Sequence, residues 1–371
     1  MVAIDSYIIG RGVEEIETPA LLLDLVKVED NLQKMAGFLK EKKTYLRPHF
    51  KTHKSPFLAH KQMEAGAIGI SCQKLAEAEV LAKSGLKDIL ITNQIAGRQK
   101  IKRLVNLARY TDLKIAIDHL DNAREISEAA LVKGVRVSYL VEIDIGMNRA
   151  GVNPGQPALK LIKEINKLSG LFFLGIMAYE GHTVFIKSYQ ARKSAVLKAL
   201  AKVSATRDLL SKNGIECKII SCGGTGTYSI TGSYPAVTEI EAGSYLTMDT
   251  KYDQIEGIGS EFKKALSILT TIVSRPDPER VIVDLGLKSV SQEFGWPTIK
   301  VGGAGELYQL SEEHGFIKLS KGRANLYRIG QKIELIPSHG CTTINLHELY
   351  YGIRDGIVES ILPIAARGKF Y

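Results

Sequence analysis

The chain has 371 residues, 45% of them hydrophobic, and a formal net charge of +9. That length buries a large core and allows a barrel-sized domain plus a smaller one. Nucleic acid is excluded as a partner despite the basic balance: the lysines are scattered over helix-like segments such as Lys40-Glu41-Lys42-Lys43 and Lys160-Leu161-Ile162-Lys163, with no basic run interleaved with aromatics. The four cysteines, Cys72, Cys217, Cys222 and Cys341, form no CxxC, which argues against a disulfide scaffold and for a reducing compartment. The opening Met1-Val2-Ala3-Ile4-Asp5 has no leader pattern, and no apolar run reaches membrane-spanning length. The expectation is a soluble, cytoplasmic protein with no membrane partner.

In chain order, eight short apolar, β-branched runs appear at 45–50, 67–71, 88–92, 113–117, 135–143, 171–177, 216–220 and 238–247. Helical patterns fill most gaps, for example 75–83, which stops at Gly85. Strands alternating with helices predict parallel β-α units, and eight of them predict an α/β fold of the (β/α)8 barrel type. A barrel carries its chemistry at the C-terminal ends of its strands. Those ends hold Lys51 and His53, Gln73, Asn93 with Gln94, Asp118 with His119, Asp144 with Asn148 and Arg149, Tyr179 with Glu180 and His182, Gly223-Gly224-Thr225, and Gly243-Ser244-Tyr245. After about residue 253 the pattern changes to short strands at 281–286, 315–319 and 331–337. The predicted division is a barrel over 20–255 and a β-rich domain formed by 1–19 plus 256–371.

Three motifs point to chemistry. Lys51 lies in Arg47-Pro48-His49-Phe50-Lys51-Thr52-His53-Lys54, at the end of a strand. A Schiff base requires an amine at the mouth of the fold, and burial and neighbouring cations favour its neutral form. Cys222-Gly223-Gly224-Thr225-Gly226-Thr227 follows the seventh strand, where barrels commonly bind phosphate: glycines admit an anion to the backbone N–H groups and threonine hydroxyls add donors. Gly243-Ser244-Tyr245, after the eighth strand, completes that site. His339 and Cys341 are two residues apart, so on an extended chain they face the same way and could share a cation. That ligand set favours zinc or a similar transition metal and leaves room for water or substrate. Taken singly, each motif also reads as ordinary structure: a basic loop, a flexible turn, a buried histidine beside an inert thiol. Arg149 and Tyr179 equally read as an ion-pair member and a packed aromatic.

Together these residues resemble the fold-type III pyridoxal 5'-phosphate (PLP) enzymes related to alanine racemase, and within them the D-threonine aldolase and D-serine dehydratase group. The resemblance rests on Thr18-Pro19-Ala20-Leu21, the Lys51 stretch and the segments 142–151, 223–228 and 337–346. It implies that Lys51 is the Schiff-base lysine, that Arg149 lies near the cofactor's phenolic oxygen and Tyr179 beside its ring, and that Gly224, Thr225, Gly243, Ser244 and Tyr245 bind its phosphate. It also implies that His339 and Cys341 hold a divalent metal, with zinc first and manganese or magnesium as alternatives, and that the protein forms a head-to-tail homodimer. His53 and His182 join Lys51 and Tyr179 as candidate catalytic residues. Tyr179-Glu180-Gly181-His182 departs from the tyrosine-histidine-glycine form of several family members, which makes Glu180 and His182 candidate acid/base or substrate contacts. The implied function is a metal-assisted lyase acting on a D-β-hydroxy-α-amino acid, a small-molecule substrate. It would act by dehydration (D-serine or D-3-hydroxyaspartate) or by retro-aldol cleavage (D-threonine), and Cys341 inclines the expectation towards dehydration. An amino-acid racemase and a non-catalytic PLP-binding protein are the competing readings.

Overall fold

The computed structural model describes residues 6–300, 305–320 and 327–371. The opening Met1–Asp5, on which the reading of a missing leader rested, lies outside them. The chain forms two compact units, one from residues 1–34, 52–55 and 244–368, the other from 35–51, 56–243 and 369–371.

The chain's first strand, β1 (Ala20–Asp24), belongs to the first unit and leads into helix α1 (Leu25–Lys40). The second unit then alternates strand and helix: β2 (Tyr45–Leu46), α2 (Pro56–Glu64), β3 (Ile70–Cys72), α3 (Leu75–Lys83), β4 (Asp88–Ile91), α4 (Arg98–Leu107), β5 (Asp112–Ile117), α5 (Leu120–Val132), β6 (Val137–Glu142), α6 (Gln156–Ile165), β7 (Leu171–Ala178), α7 (Tyr189–Lys212), β8 (Ile219–Cys222), α8 (Tyr228–Thr231) and β9 (Glu239–Ile240). These eight strands form one parallel sheet in the order β2-β9-β8-β7-β6-β5-β4-β3. The sheet curls until its ends meet. Ile68 and Ser71 donate their N–H groups to the carbonyls of Leu46 and Pro48, and His49 bridges Ser71 in parallel. The predicted barrel is therefore present.

Local sequence explains the elements. The central strands β5 and β6 are buried along nearly their whole length and mostly apolar, as parallel strands covered on both faces are. Helix α3 ends at Ser84, and Gly85 follows at φ +91, a left-handed stop that a side chain would strain. His119 caps α5 by accepting the Asp121 N–H, and a proline opens the first turn of α6.

Leu90, Ala116, Leu140 and Met177, from four adjacent strands, pack into one cluster. Two residues earlier on the same faces of their strands come Asp88 and Lys114. Lys114 pairs with Asp88 and Asp112, and the buried Arg47 pairs with Asp88 and Glu239.

The eighth predicted run, 238–247, is a strand only over Glu239–Ile240. Glu241 still donates to the Cys222 carbonyl, but β8 and β2 have ended there, so no ladder partner remains. The chain turns at Gly243 into a short 3-10 segment, Ser244–Leu246, where Tyr245 and Leu246 are buried outside the sheet.

The first unit contains the short helix α9 (Thr250–Asp253) and then β10 (Leu266–Asp277), β11 (Arg280–Val283), β12 (Thr298–Ile299), β13 (Gly305–Leu310), β14 (Gly315–Leu319), β15 (Lys332–Ile336), helix α10 (Gly340–Ile344), β16 (Leu349–Arg354) and β17 (Ile357–Pro363). Their mixed sheet runs β13-β14-β11-β10-β1-β16-β17, with β15 pairing β10 and β12. Parallel pairing of β1 with β16 draws residues near the N-terminus into this sheet, and Ile8, Ile16, Ala20 and Leu22 share a core with Leu269 and Val358. Among the described residues no helix is long and apolar enough to cross a membrane.

Candidate functional site

Lys51 follows β2 in the 3-10 turn Phe50–Thr52 and is half-buried. Its N–H donates to His49 Nδ1 at 3.3 Å, and His49 Nε2 lies 3.0 Å from Thr92 Oγ1. These bonds tie the turn to the strand-end region after β4. The Lys51 ammonium also acts on Glu241, which accepts from the Ser221 hydroxyl at 2.8 Å. Burial pushes the Glu241 carboxyl up to about 8, against the pull of Ser221 and the nearby cations.

The other barrel candidates gather after β6, β7 and β8. The Arg149 guanidinium lies 5.7 Å over the Tyr179 ring and 3.9 Å from the buried Glu142 carboxylate, which also accepts from Gln94 at 2.5 Å. Burial raises the Glu142 carboxyl, while Gln94 and Arg149 oppose the rise. The Tyr179 ring is seated between glycines: a Cβ on Gly224 would come within 3.3 Å of it, and one on Gly181 would collide with it. His182 is exposed, and its ring lies so close to Gly146 that a Cβ there would be 2.9 Å away. Tyr179, Arg149, His182, Gly224 and Thr225 therefore share one end of the barrel, the end sequence reasoning selected.

Glu180 is different. It is fully buried, and its carboxylate accepts from the Gly223 N–H (3.1 Å), the Thr227 hydroxyl (2.8 Å) and the Thr231 hydroxyl (2.5 Å). The expectation of an acid/base or substrate contact is corrected: its oxygens are engaged by the glycine-rich loop.

In the β-rich unit, His53 has no solvent exposure. Its Nδ1 accepts from the Ser55 N–H at 3.2 Å, and its carbonyl accepts from the Tyr350 hydroxyl at 2.6 Å. Gly243 is the last barrel-unit residue before the break. Ser244 and Tyr245 follow it, both buried, with Tyr245 packed on Phe262 at 5.6 Å between ring centroids.

His339 and Cys341 are brought together, though not along an extended chain. His339 is the N-cap residue of α10, and Cys341 lies in the helix's first turn. The chain must turn here because Gly340 donates its N–H to Asp249 Oδ2 at 3.0 Å, while His339 Nδ1 sits 3.2 Å from the same oxygen. The other Asp249 oxygen accepts from the Tyr252 N–H at 2.9 Å and caps α9. Burial alone would lower the His339 imidazole. The hydrogen bonds to Asp249 and to the Cys341 sulfur outweigh it and push the group up to about 10. Phe294 packs edge-on to the ring at 4.7 Å, and Glu293 Oε2 is 4.0 Å from Nε2. Sequence reasoning missed Asp249. Its one signal was a helix-capping position, which most capping aspartates share. Among the described residues no group of three or more His, Cys, Asp or Glu side chains is placed to hold a metal ion, so the pair offers two donors.

Comparison with known proteins gives consistent matches. The profile of the alanine racemase N-terminal domain matches residues 23–251, and a domain named for serine dehydratases matches 265–353. A D-threonine aldolase from Arthrobacter sp is 37% identical over 361 residues, covering 97% of this chain and 95% of that one. A 3-hydroxy-D-aspartate aldolase from Paracoccus denitrificans (strain Pd 1222) is 34% identical over 370 residues, covering 98% and 95%. The crystal structure of D-threonine aldolase from Filomicrobium marinum matches with a TM-score of 0.95 at 35% identity, covering 98% of this chain and 99% of that one.

Proposed function

The chain belongs to the fold-type III PLP enzymes with an alanine racemase-like N-terminal domain, and from that premise we propose that it is a lyase that cleaves D-β-hydroxy-α-amino acids by a retro-aldol reaction. One observation carries the reading: 37% identity to a D-threonine aldolase over 97% of the chain, both units included. Cys341 inclines the residue-level expectation towards dehydration, but it is a single position. Both relatives named above are aldolases, and the likeness covers 95% of each.

The residues fit the cofactor. Gly224 brings the loop backbone close against the Tyr179 ring, where a Cβ would lie within 3.3 Å, and the loop's peptide N–H groups and the Thr225 hydroxyl are the donor types that a phosphate needs. PLP bound there supplies an electron sink for charge that develops at Cα. Lys51 would hold the cofactor by its amine and supply the proton that Cα takes up once the Cα–Cβ bond has broken. Gly224, Thr225, Gly243, Ser244 and Tyr245 hold the phosphate. Arg149, fixed between Tyr179 and Glu142, presents a permanent cation to the ring. Of the two candidate histidines, His182 is exposed and suited to take the β-hydroxyl proton, whereas His53 is closed to solvent.

The donor set of His339 and Cys341 suits zinc, with manganese or magnesium as alternatives. Asp249 turns Nδ1 inward, which directs Nε2 outward as the ligand atom. A divalent ion there would polarise the substrate's β-hydroxyl. A cytoplasmic homodimer, and domains at 20–255 and at 1–19 plus 256–371, complete the proposal.

A panel of D-amino acids tests it. D-threonine should give glycine and acetaldehyde. Ammonia and a 2-oxo acid as the main products would establish dehydration instead, and formation of the opposite enantiomer alone would establish the racemase.

A further inference from the structure

Glu180 lies at the catalytic end of the barrel but is closed off from it. We propose that Glu180 is a positioning residue that presets the phosphate-binding shape of the glycine-rich loop, so that PLP affinity depends on a carboxylate that never touches the cofactor. The inference rests on the PLP site proposed above.

Its three donors come from three separate points of the loop. The Gly223 N–H opens the turn, the Thr227 hydroxyl sits at its middle and the Thr231 hydroxyl closes α8. The Thr227 oxygen also accepts from the Gly224 N–H at 3.2 Å, so Glu180 reaches the predicted phosphate residue through one intermediary. Gly223 is held at φ +80, a left-handed conformation that needs support. Gly226 rests directly on the Val184 carbonyl, where a Cβ would collide, so the loop sits on the segment that Glu180 begins.

An ionised carboxylate is an acceptor at every lone pair and matches three donors without conflict. An amide in its place must turn an N–H group towards a donor. Removing the carboxylate leaves buried donors unsatisfied, and the loop must move to find partners for them. The phosphate site would lose its shape even though none of its own atoms had been changed.

The test uses full-length Glu180→Ala, Glu180→Gln and Thr231→Val proteins. Apoprotein is titrated with PLP, the 31P line of the bound phosphate is recorded, and the thermal midpoint of each apoprotein is measured. Glu180→Ala should weaken PLP binding about 10- to 100-fold and shift the 31P line. Glu180→Gln should recover part of both, and Thr231→Val, which removes one donor and little volume, should weaken binding by about 3- to 10-fold. A Glu180→Ala protein that melts earlier yet binds PLP within about 2-fold of wild type, with an unmoved 31P line, overturns the proposal. Should Glu180→Ala not fold, Thr231→Val decides, and unchanged affinity there overturns it. The affinity series stands apart from turnover: a wild-type protein that binds PLP but cleaves no D-β-hydroxy amino acid defeats the functional reading alone.

Discussion

The two units each place a buried carboxylate behind a group of candidate functional atoms. In the barrel, Glu180 accepts from one peptide N–H and two hydroxyls. In the β-rich unit, Asp249 accepts from two peptide N–H groups and also meets an imidazole. Hydroxyls and amides keep their protons throughout the working range of a protein, so none of the partners of the barrel's carboxylate changes charge. The imidazole can gain or lose a proton, and either ring nitrogen can carry it. Asp249 therefore sets both the orientation and the protonation of His339. One support is mechanical and the other is mechanical and electrical, and each unit's variants should separate along that line.

The largest effect should come from the barrel side. Lys51→Gln should remove the cofactor's absorbance band and lower turnover by about 10^4-fold or more, as loss of a covalent catalytic residue does. Borohydride labelling followed by peptide mapping checks the residue, and a label on another lysine would refute the assignment. On the β-rich side, chelation or Cys341→Ala should lower turnover by about 10^2- to 10^3-fold, the several kcal/mol a Lewis acid contributes, with PLP retained. Full activity in the metal-free protein would erase the proposed division of labour. Asp249→Asn should weaken metal binding by about 10- to 100-fold and leave PLP affinity unchanged, a contrast that zinc titration and PLP titration measure separately.

The smallest effect sharpens the comparison within the barrel. Glu241 has the Ser221 hydroxyl where Glu180 has three donors, and burial raises it from 4.5 to about 8. Between those values the folded chain holds a proton that the unfolded chain has released. Glu241 thus contributes its full stability below about 4.5 and loses it as pH rises through about 8. Glu241→Gln should match wild type in acid and melt progressively higher as pH rises towards 8, by about several °C. Melting curves across pH that stay parallel would show that Glu241 does not titrate in that window.

Much of this was legible in the sequence, and the exceptions have physical causes. The strands announced themselves as apolar runs because both faces of a parallel barrel sheet are covered. The run at 238–247 was overextended because Ala242, Tyr245 and Leu246 are as buried as any strand residue, and apolar periodicity reports burial, not pairing. His339 and Cys341 were visible as neighbours, but the helix that begins between them was not, because the bond that bends the chain runs from Gly340 to Asp249, 91 residues away. The same holds for Glu180, whose partners lie 43 to 51 residues downstream. A side chain's chemistry is local, but its employment is decided by the fold.

The seam of the barrel has its own consequence. Strands β2 and β9 are two residues long, so few ladder bonds close the ring there. Arg47 supplies what they lack. It emerges from the end of β2, pairs with Glu239 of β9 and Asp88 of β4, and passes where Gly69 has no side chain to obstruct it. A buried guanidinium deprived of its partners is costly, so no half-open state with a dry, unpaired Arg47 is favourable. The seam behaves as a latch: it is shut with Arg47 seated, or it is open with Arg47 in water. Opening the seam therefore requires Arg47 to leave both Glu239 and Asp88 and reach water, whereas the longer strands β5, β6 and β7 are held by ladder bonds instead.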